Sequence, residues 1–265
     1  MTEQLTVGAT PEATTTGAIA EVIASLPVSL RAGDSAAGLV AVSGPGWASE
    51  AITVATGGAR GILATDPVFT DFPTHAEELL GAKIPIVVDT TWAYNPAVDA
   101  AASHFAALNP ADTMLESRVE TRAGSDLARV LLAQLALIRR ATGSAVTTLS
   151  IHRWKSNGYT AIGSAENGAE VALDAILTDV RPPSAALWAL TRQAAVRLTV
   201  PDPTTATCGT VTISDQHGAV LLPTAYETAH RAAWRELHRR VNVGATTNDL
   251  PALLADLALV VVNAS

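Results

Sequence analysis

A single cysteine, Cys208, is all the thiol this chain has, so no internal disulfide can staple it, and a reducing compartment suits it. Flanked by Thr207 and Gly209 in a strand-like run, Cys208 reads as a small core or edge residue and not as a nucleophile. Charge is scarce as well: 16% of the 265 residues are Asp, Glu, Lys or Arg, with a net charge of −8. No basic cluster is dense enough to follow a phosphate backbone. The nearest, His230 to Arg240, carries four arginines broken by Glu236, so nucleic acid is not expected as a partner. Long apolar runs are missing: Ala258 to Val262 is far too short to span a bilayer, and MTEQLTV has neither the basic nor the apolar region of a secretion signal. A soluble cytoplasmic protein without membrane contact is expected. Among His75, His104, His152, His217, His230 and His238 no pair has metal-ligand spacing backed by carboxylates, so no metal site is expected.

What is present is apolar residue in quantity, 48% of the chain, enough to bury a core in one large domain or two small ones. The first half alternates strands and helices. Strands read at Gln4 to Val7, Val28 to Arg31, Gly38 to Ser43, Gly61 to Ala64 and Ile84 to Asp89. Helices read at Ala13 to Leu26, Ala48 to Thr56, Pro73 to Leu80 and Pro96 to Ala107. Pro73, Pro85 and Pro96 fall near element starts, where a missing N–H does least harm. Such alternation predicts a parallel, Rossmann-like sheet covered on both faces.

A different grammar begins near Ala111. Met114 to Arg122 alternates like a strand, and Ser125 to Thr142 is a long helix ended by Gly143. Strands then read at Val146 to Lys155, Tyr159 to Ser164, Glu170 to Thr178, Ala195 to Pro201, Cys208 to Ser214 and Val220 to Thr224. Turn signals separate them at Ser156-Asn157-Gly158, Glu166-Asn167-Gly168 and Asp215-Gln216-His217-Gly218. His230 to Val241 suits a helix through Trp234, Leu237 and Val241, with a strand as the competing reading. Asp249 to Val262 reads as a closing helix. The expected fold class is α/β: a shortened Rossmann-like domain over residues 1–110, then over 111–265 an α/β domain with a mostly antiparallel open sheet.

The most informative run is Arg60 to Val98, a strand, an Asp-Pro corner, a helix, a second strand and a Trp-Ala-Tyr-Asn-Pro corner that opens another helix. Ligands in open α/β sheets bind at such strand exits. The segments ILATDP, TTWAYNPAV and RRATGSAVTTLSIHRW, in that order and spacing, resemble the Gfo/Idh/MocA oxidoreductases over nearly the whole chain. That resemblance implies an NAD(P)-binding domain followed by a domain whose open sheet forms a dimer interface, here a homodimer or heteromer.

The resemblance also implies catalytic positions, and this chain departs from them. Where the family has a lysine after the fourth strand stands Asp66, an acceptor-only carboxylate that cannot stabilise an alkoxide as an ammonium does. Counting back from Thr142-Gly143, the family's acid and histidine fall on Arg129 and Ala133. A shift by one residue gives Gln134, which is no base. In the dinucleotide loop, Gly8-Ala9-Thr10-Pro11-Glu12-Ala13 keeps the first glycine but puts Thr10 where the backbone should approach the pyrophosphate, and adds an acid.

Other candidates each have a plainer reading. Asp34 could bind ribose hydroxyls or be a turn residue. Ser43, Gly44 and Gly46 in Gly44-Pro45-Gly46-Trp47-Ala48-Ser49 could face a nicotinamide or simply start a helix. Trp92, Tyr94 and Asn95 would suit a sugar-like ligand, or form a hydrophobic staple and an N-cap before Pro96. His152 and Trp154 share a face with Thr148 and Ser150 on an alternating strand, which fits an interface or a ligand face. Two functions follow. One is a binding protein that has lost dehydrogenase activity and needs no cofactor. The other is an active NAD(P)-dependent oxidoreductase on a sugar, inositol or related polyol, with Asp66, Asp89 or Tyr94 carrying the proton.

Overall fold

The computed structural model describes residues 4–16, 18–33, 38–68, 72–205, 207–247 and 249–263. The chain divides into two compact units, Met1–Thr90 with His230–Leu254, and Thr91–Ala229 with Ala255–Ser265. Sequence grammar changes near Asn109-Pro110, whereas the compact units part at Thr90, because the helix that follows Asn95 packs within the second unit.

The first unit is built on a five-stranded parallel sheet, β1 (Leu5–Ala9), β2 (Leu30–Ala32), β3 (Leu39–Val42), β4 (Gly61–Thr65) and β5 (Ile86–Asp89), in the order β2-β1-β3-β4-β5. Every residue of β3, β4 and β5 is buried, which is why LVAV, GILAT and IVVD are continuous runs without alternation. The predicted helix over Ala13 to Leu26 is instead two short ones, α1 (Pro11–Thr16) and α2 (Ile19–Ser25), with Ala18 in left-handed backbone at φ 43 at the start of the second. α3 (Trp47–Thr56) and α4 (Phe72–Gly81) pack through Trp47 and Phe72, ring centroids 5.2 Å apart, and the Trp47 indole donates to the Val68 carbonyl at 2.7 Å.

Helix α7 (Ala229–Asn242) settles the ambiguous His230 to Val241 run as helical. It returns to this sheet, where a side chain on Gly61 would meet Val241 and Leu237 within 2.9 Å. The edge strand β5 is closed by Asp249, whose N–H donates to the Ile86 carbonyl at 3.0 Å and whose Oδ2 accepts the Val88 N–H at 3.0 Å. Arg240 fixes that carboxylate through Oδ1 at 2.9 Å. The last helix, α8 (Leu250–Asn263), begins beside it.

The second unit opens with α5 (Pro96–Ala106), capped by Asn95, and continues with β6 (Met114–Thr121) and α6 (Leu127–Thr142). α6 starts where Asp126 Oδ1 accepts the Ala128 N–H at 2.9 Å and ends at Gly143, φ 69, the left-handed position that favours glycine. Its apolar stripe of Leu127, Val130, Leu131, Leu135 and Ile138 is buried. Seven further strands complete an eight-stranded mixed sheet: β7 (Val146–Lys155), β8 (Gly158–Ala165), β9 (Glu170–Leu177), β10 (Ser184–Leu190), β11 (Ala194–Pro201), β12 (Thr210–Asp215) and β13 (Gly218–Leu221). Their order is β13-β12-β11-β10-β6-β9-β8-β7, antiparallel except for β6 with β9. Sequence reading passes over β10, whose SAALWAL opens on three small residues and carries no β-branched one. No helix among the described residues is long and apolar enough to cross a membrane.

Candidate functional site

The exits of β4 and β5 hold the densest polar chemistry in the first unit. Asp66 follows β4 in left-handed backbone, φ 47, with its side chain exposed and its N–H donating to the Asp89 carbonyl at 2.9 Å. Asp89 is buried, and its Oδ2 lies 2.6 Å from His230 Nδ1. The Trp234 indole, which can only donate, reaches His230 Nε2 at 3.2 Å. That fixes the tautomer: Nε2 accepts, so Nδ1 carries the hydrogen and donates it to Asp89. His230 and Trp234 stand four residues apart on α7, hence on one face, which is what lets both meet the strand exit. Thr65 sits opposite Asp89 in register, and neither its Oγ1 nor that of Thr90 has a hydrogen-bond partner among the described residues, although both threonines are buried. An acid with a hydrogen-bonded imidazole beside loose hydroxyls is a place where a proton can be held or moved.

Sequence reading places Asp66 and Asp89 at strand exits but does not reach His230. The partners are 141 residues apart, and no spacing rule spans that distance. The available signal is the His-x-x-x-Trp spacing on a helix otherwise rich in arginine.

The crevice where strand order reverses lies between β1 and β3, the place where open α/β sheets take nucleotides. Here the segment after β1 brings an acidic side chain to it. Thr10 N–H donates across to the Ala41 carbonyl at 3.0 Å, and the side chain of Glu12 packs on Gly44, 3.3 Å from where a Cβ would stand. Glu50 on α3 adds a second carboxylate. Burial pushes its carboxyl up, the neighbouring Thr10 hydroxyl pulls it down, and the charge of Glu12 pushes it up again. Ser43 is buried, with its hydroxyl given to the Thr65 carbonyl at 2.8 Å. Gly8 pairs with Val40 inside the sheet, and Gly46 is the N-cap residue of α3 without a side-chain cap. Asp34 lies outside the described residues. A diphosphate bound here would meet two acids, Glu12 and Glu50.

Around the Trp-Ala-Tyr-Asn-Pro corner, Asn95 is buried and its Oδ1 accepts the Ala97 N–H at 3.0 Å, the N-cap role. That amide also sets a limit on Gly209, where a Cβ would come within 2.6 Å of Oδ1. Tyr94 is buried beneath Arg140, whose guanidinium carbon lies 4.1 Å from the ring centroid and which also clamps Asp99 at 3.1 and 3.2 Å. Trp92 is buried with its indole nitrogen unpartnered among the described residues.

On α6, Arg129 is half-buried and Ala133 buried, while Gln134 is fully buried at the centre of a network. Its Nε2 donates to the Ser117 carbonyl and hydroxyl, both at 2.9 Å, and its Oε1 accepts from the Tyr159 hydroxyl at 2.6 Å. Burial and the charge of Asp174 push the Tyr159 hydroxyl well up, so it stays a donor.

Trp154 does not share a face with Ser150. A register shift between Ile151 and Arg153 bulges the strand at His152, so Arg153 pairs with Thr160 and Trp154 pairs with Tyr159, stacking on it at 5.4 Å. One inserted residue reverses every later side chain, and the alternating sequence gave no sign of it. Among the described residues no group of three His, Cys, Asp or Glu is placed to hold a metal.

No family model matches this sequence, and no curated protein does. Solved structures do match. UDP-N-acetylglucosamine 3-dehydrogenase GnnA from Acidithiobacillus ferrooxidans is 16% identical, covering 99% of this chain and 97% of its own, with a TM-score of 0.69. A levoglucosan dehydrogenase solved with NADH and levoglucosan is 10% identical over 98% of this chain and 95% of its own, TM-score 0.73. A mutant of KijD10, a 3-ketoreductase from Actinomadura kijaniata solved with TDP-benzene and NADP, is 12% identical over 99% and 97%, TM-score 0.71. Over nearly its full length this chain therefore shares the fold of these dehydrogenases and of the ketoreductase.

Proposed function

We propose that this chain derives from the NAD(P)-dependent Gfo/Idh/MocA oxidoreductases, has lost hydride transfer, and works in the cytoplasm as a binding protein for a small sugar-like ligand or for a partner subunit. The observation that carries this reading is Glu12 lying against Gly44 in the crevice between β1 and β3, with Glu50 beside it. Asp66 at the lysine position and Ala133 at the histidine position point the same way. The sugar-like ligand rests on the neighbours, whose names speak of UDP-N-acetylglucosamine and levoglucosan. The partner-binding surface is the sheet face carrying Glu116, Trp188 and Arg197 in one register row, with Ile162 half exposed in the same row beyond Ala172. It would serve a homodimer or a heteromer.

A titration of NADH and NADPH followed by nicotinamide fluorescence tests the reading. No saturation is expected, and a dissociation constant of about 1 μM, which corresponds to about −8 kcal/mol, would overturn it.

A second reading keeps an active NAD(P)-dependent oxidoreductase on a sugar, inositol or related polyol. The Asp89–His230 pair favours it, because a buried acid hydrogen-bonded to an imidazole suits a proton carrier. Turnover on a panel of polyols and keto-sugars with either cofactor, lost in Asp89→Asn, would select this reading over the first.

A further inference from the structure

The Glu166-Asn167-Gly168 turn has no part in the strand exits, yet it forms one wall of a cavity of about 310 Å³ that lies wholly in the second unit. The floor is apolar: Phe105, Leu108, Leu115 and Ala189 line it. The rim is not. Phe105 and Ala106 are the last residues of α5, and Thr142 is the last of α6, so two helix C-termini meet at the same opening. A helix C-terminus carries about half a negative charge. Glu166 is the one ionisable side chain among the described lining residues, and it is exposed at the mouth. The basic residues of these helix ends lie elsewhere: Arg139 is paired with Asp256, Arg140 with Asp99, and neither lines the cavity, nor does His104.

From this we infer that the cavity is a binding site for a small organic ammonium, an amine whose apolar body fills the floor and whose charged head sits between Glu166 and the two helix ends. Its size matches small-molecule sites. The wall is also held rigidly for a turn. The Asn167 N–H donates to Ser144 Oγ at 3.0 Å, the Glu166 N–H donates to the Ala145 carbonyl at 2.8 Å, and Asn167 Oδ1 accepts the Ala169 N–H at 3.2 Å. Glu166 is thereby anchored by its backbone while its carboxylate stays available to the mouth.

Calorimetric titration of the whole chain with phenethylammonium and with its neutral counterpart 2-phenylethanol tests the site. Phenethylammonium is expected to bind about fivefold more tightly, the worth of one partly exposed ion pair aided by helix ends. Glu166→Gln, a surface change in a turn, is expected to bring the two probes within about twofold. Ala106→Trp, which fills the mouth from an exposed position, is expected to weaken both. Equal binding of the two probes, binding of neither, a preference that survives Glu166→Gln, or indifference to Ala106→Trp would each overturn the assignment.

Discussion

Two buried polar clusters, one in each unit, are completed in opposite ways. In the second, Gln134 is fully buried with both ends of its amide engaged, joined to Tyr159 and Ser117 in a closed network. In the first, the exits of β4 and β5 keep two buried threonine hydroxyls loose beside a complete Asp89–His230–Trp234 chain. A closed network specifies packing, whereas loose hydroxyls cost stability and persist where something other than packing selects them. On α6 the buried Gln134 therefore serves packing, whereas the loose hydroxyls and the Asp89–His230 pair lie at the strand exits.

Glycines measure how rigid each sheet is and give the largest expected effect. A Cβ on Gly163 in β8 would stand 2.0 Å from the Thr148 carbonyl oxygen, a backbone atom pinned by the β7–β8 ladder. On Gly61 in β4 the obstacles are the side-chain tips of Val241 and Leu237 at 2.8 and 2.9 Å, which can shift. Gly163→Ala is expected to lose about 3 kcal/mol or more in urea unfolding, and Gly61→Ala about 1 to 2 kcal/mol. Equal losses would mean that both sheets yield alike, and the contrast in rigidity would fail.

Removing hydroxyls sharpens the polar contrast directly. Tyr159→Phe leaves Gln134 Oε1 buried without its donor, at an expected cost of about 2 kcal/mol. Thr65→Val keeps the shape and removes a hydroxyl with no partner among the described residues, so it is expected to be neutral or to stabilise by about 1 kcal/mol. Denaturant melts of the two variants decide it. A Thr65→Val protein destabilised as much as Tyr159→Phe would show that the Thr65 hydroxyl is as firmly engaged as that of Tyr159.

Legibility in the sequence followed the range of the forces involved. Strands whose faces are both buried, such as LVAV and GILAT, announce themselves by composition, and α6 by its 3.6-residue stripe with Asp126 and Gly143 at its ends. Asn95 as an N-cap was readable because capping is local. The bulge at His152 was not, since it depends on how β7 meets β8, and β10 was missed because alanines fill two of its three inward positions, Ala185 and Ala189, which a strand would mark with bulk. Asp89 could be picked as a strand-exit acid, but its partner comes from a helix near the other end of the chain. The crowding of Glu12 onto Gly44 was half visible: the acid could be read beside the loop, its contact could not.

The smallest expected effects come from two glutamates of the first unit whose protonation is shifted in opposite directions. Burial alone would push Glu236 up, but hydrogen bonds from Arg239 and Arg240, at 2.7 to 2.8 Å, hold its carboxyl down to about 2. A carboxyl lowered in the folded state stabilises it above the unfolded value of 4.5, and that contribution is lost as pH falls from there toward 2. Glu236→Gln is therefore expected to cost about 1 kcal/mol at neutral pH, with the gap to the parent closing only in that acid window. Glu50 runs the other way. Its carboxyl is raised by burial and by Glu12, so the ionised form is a burden in the folded state at neutral pH, and the burden disappears once falling pH protonates it. Glu50→Gln is expected to raise the melting temperature slightly at pH 7, by the equivalent of about 0.5 kcal/mol, and to match the parent below about pH 4. Melting curves of both variants across pH 3 to 8 read this out. A Glu50→Gln protein less stable than the parent at pH 7 would mean that the carboxylate is held by a favourable partner, and the crevice between β1 and β3 would then be a site that tolerates charge and is not closed against it.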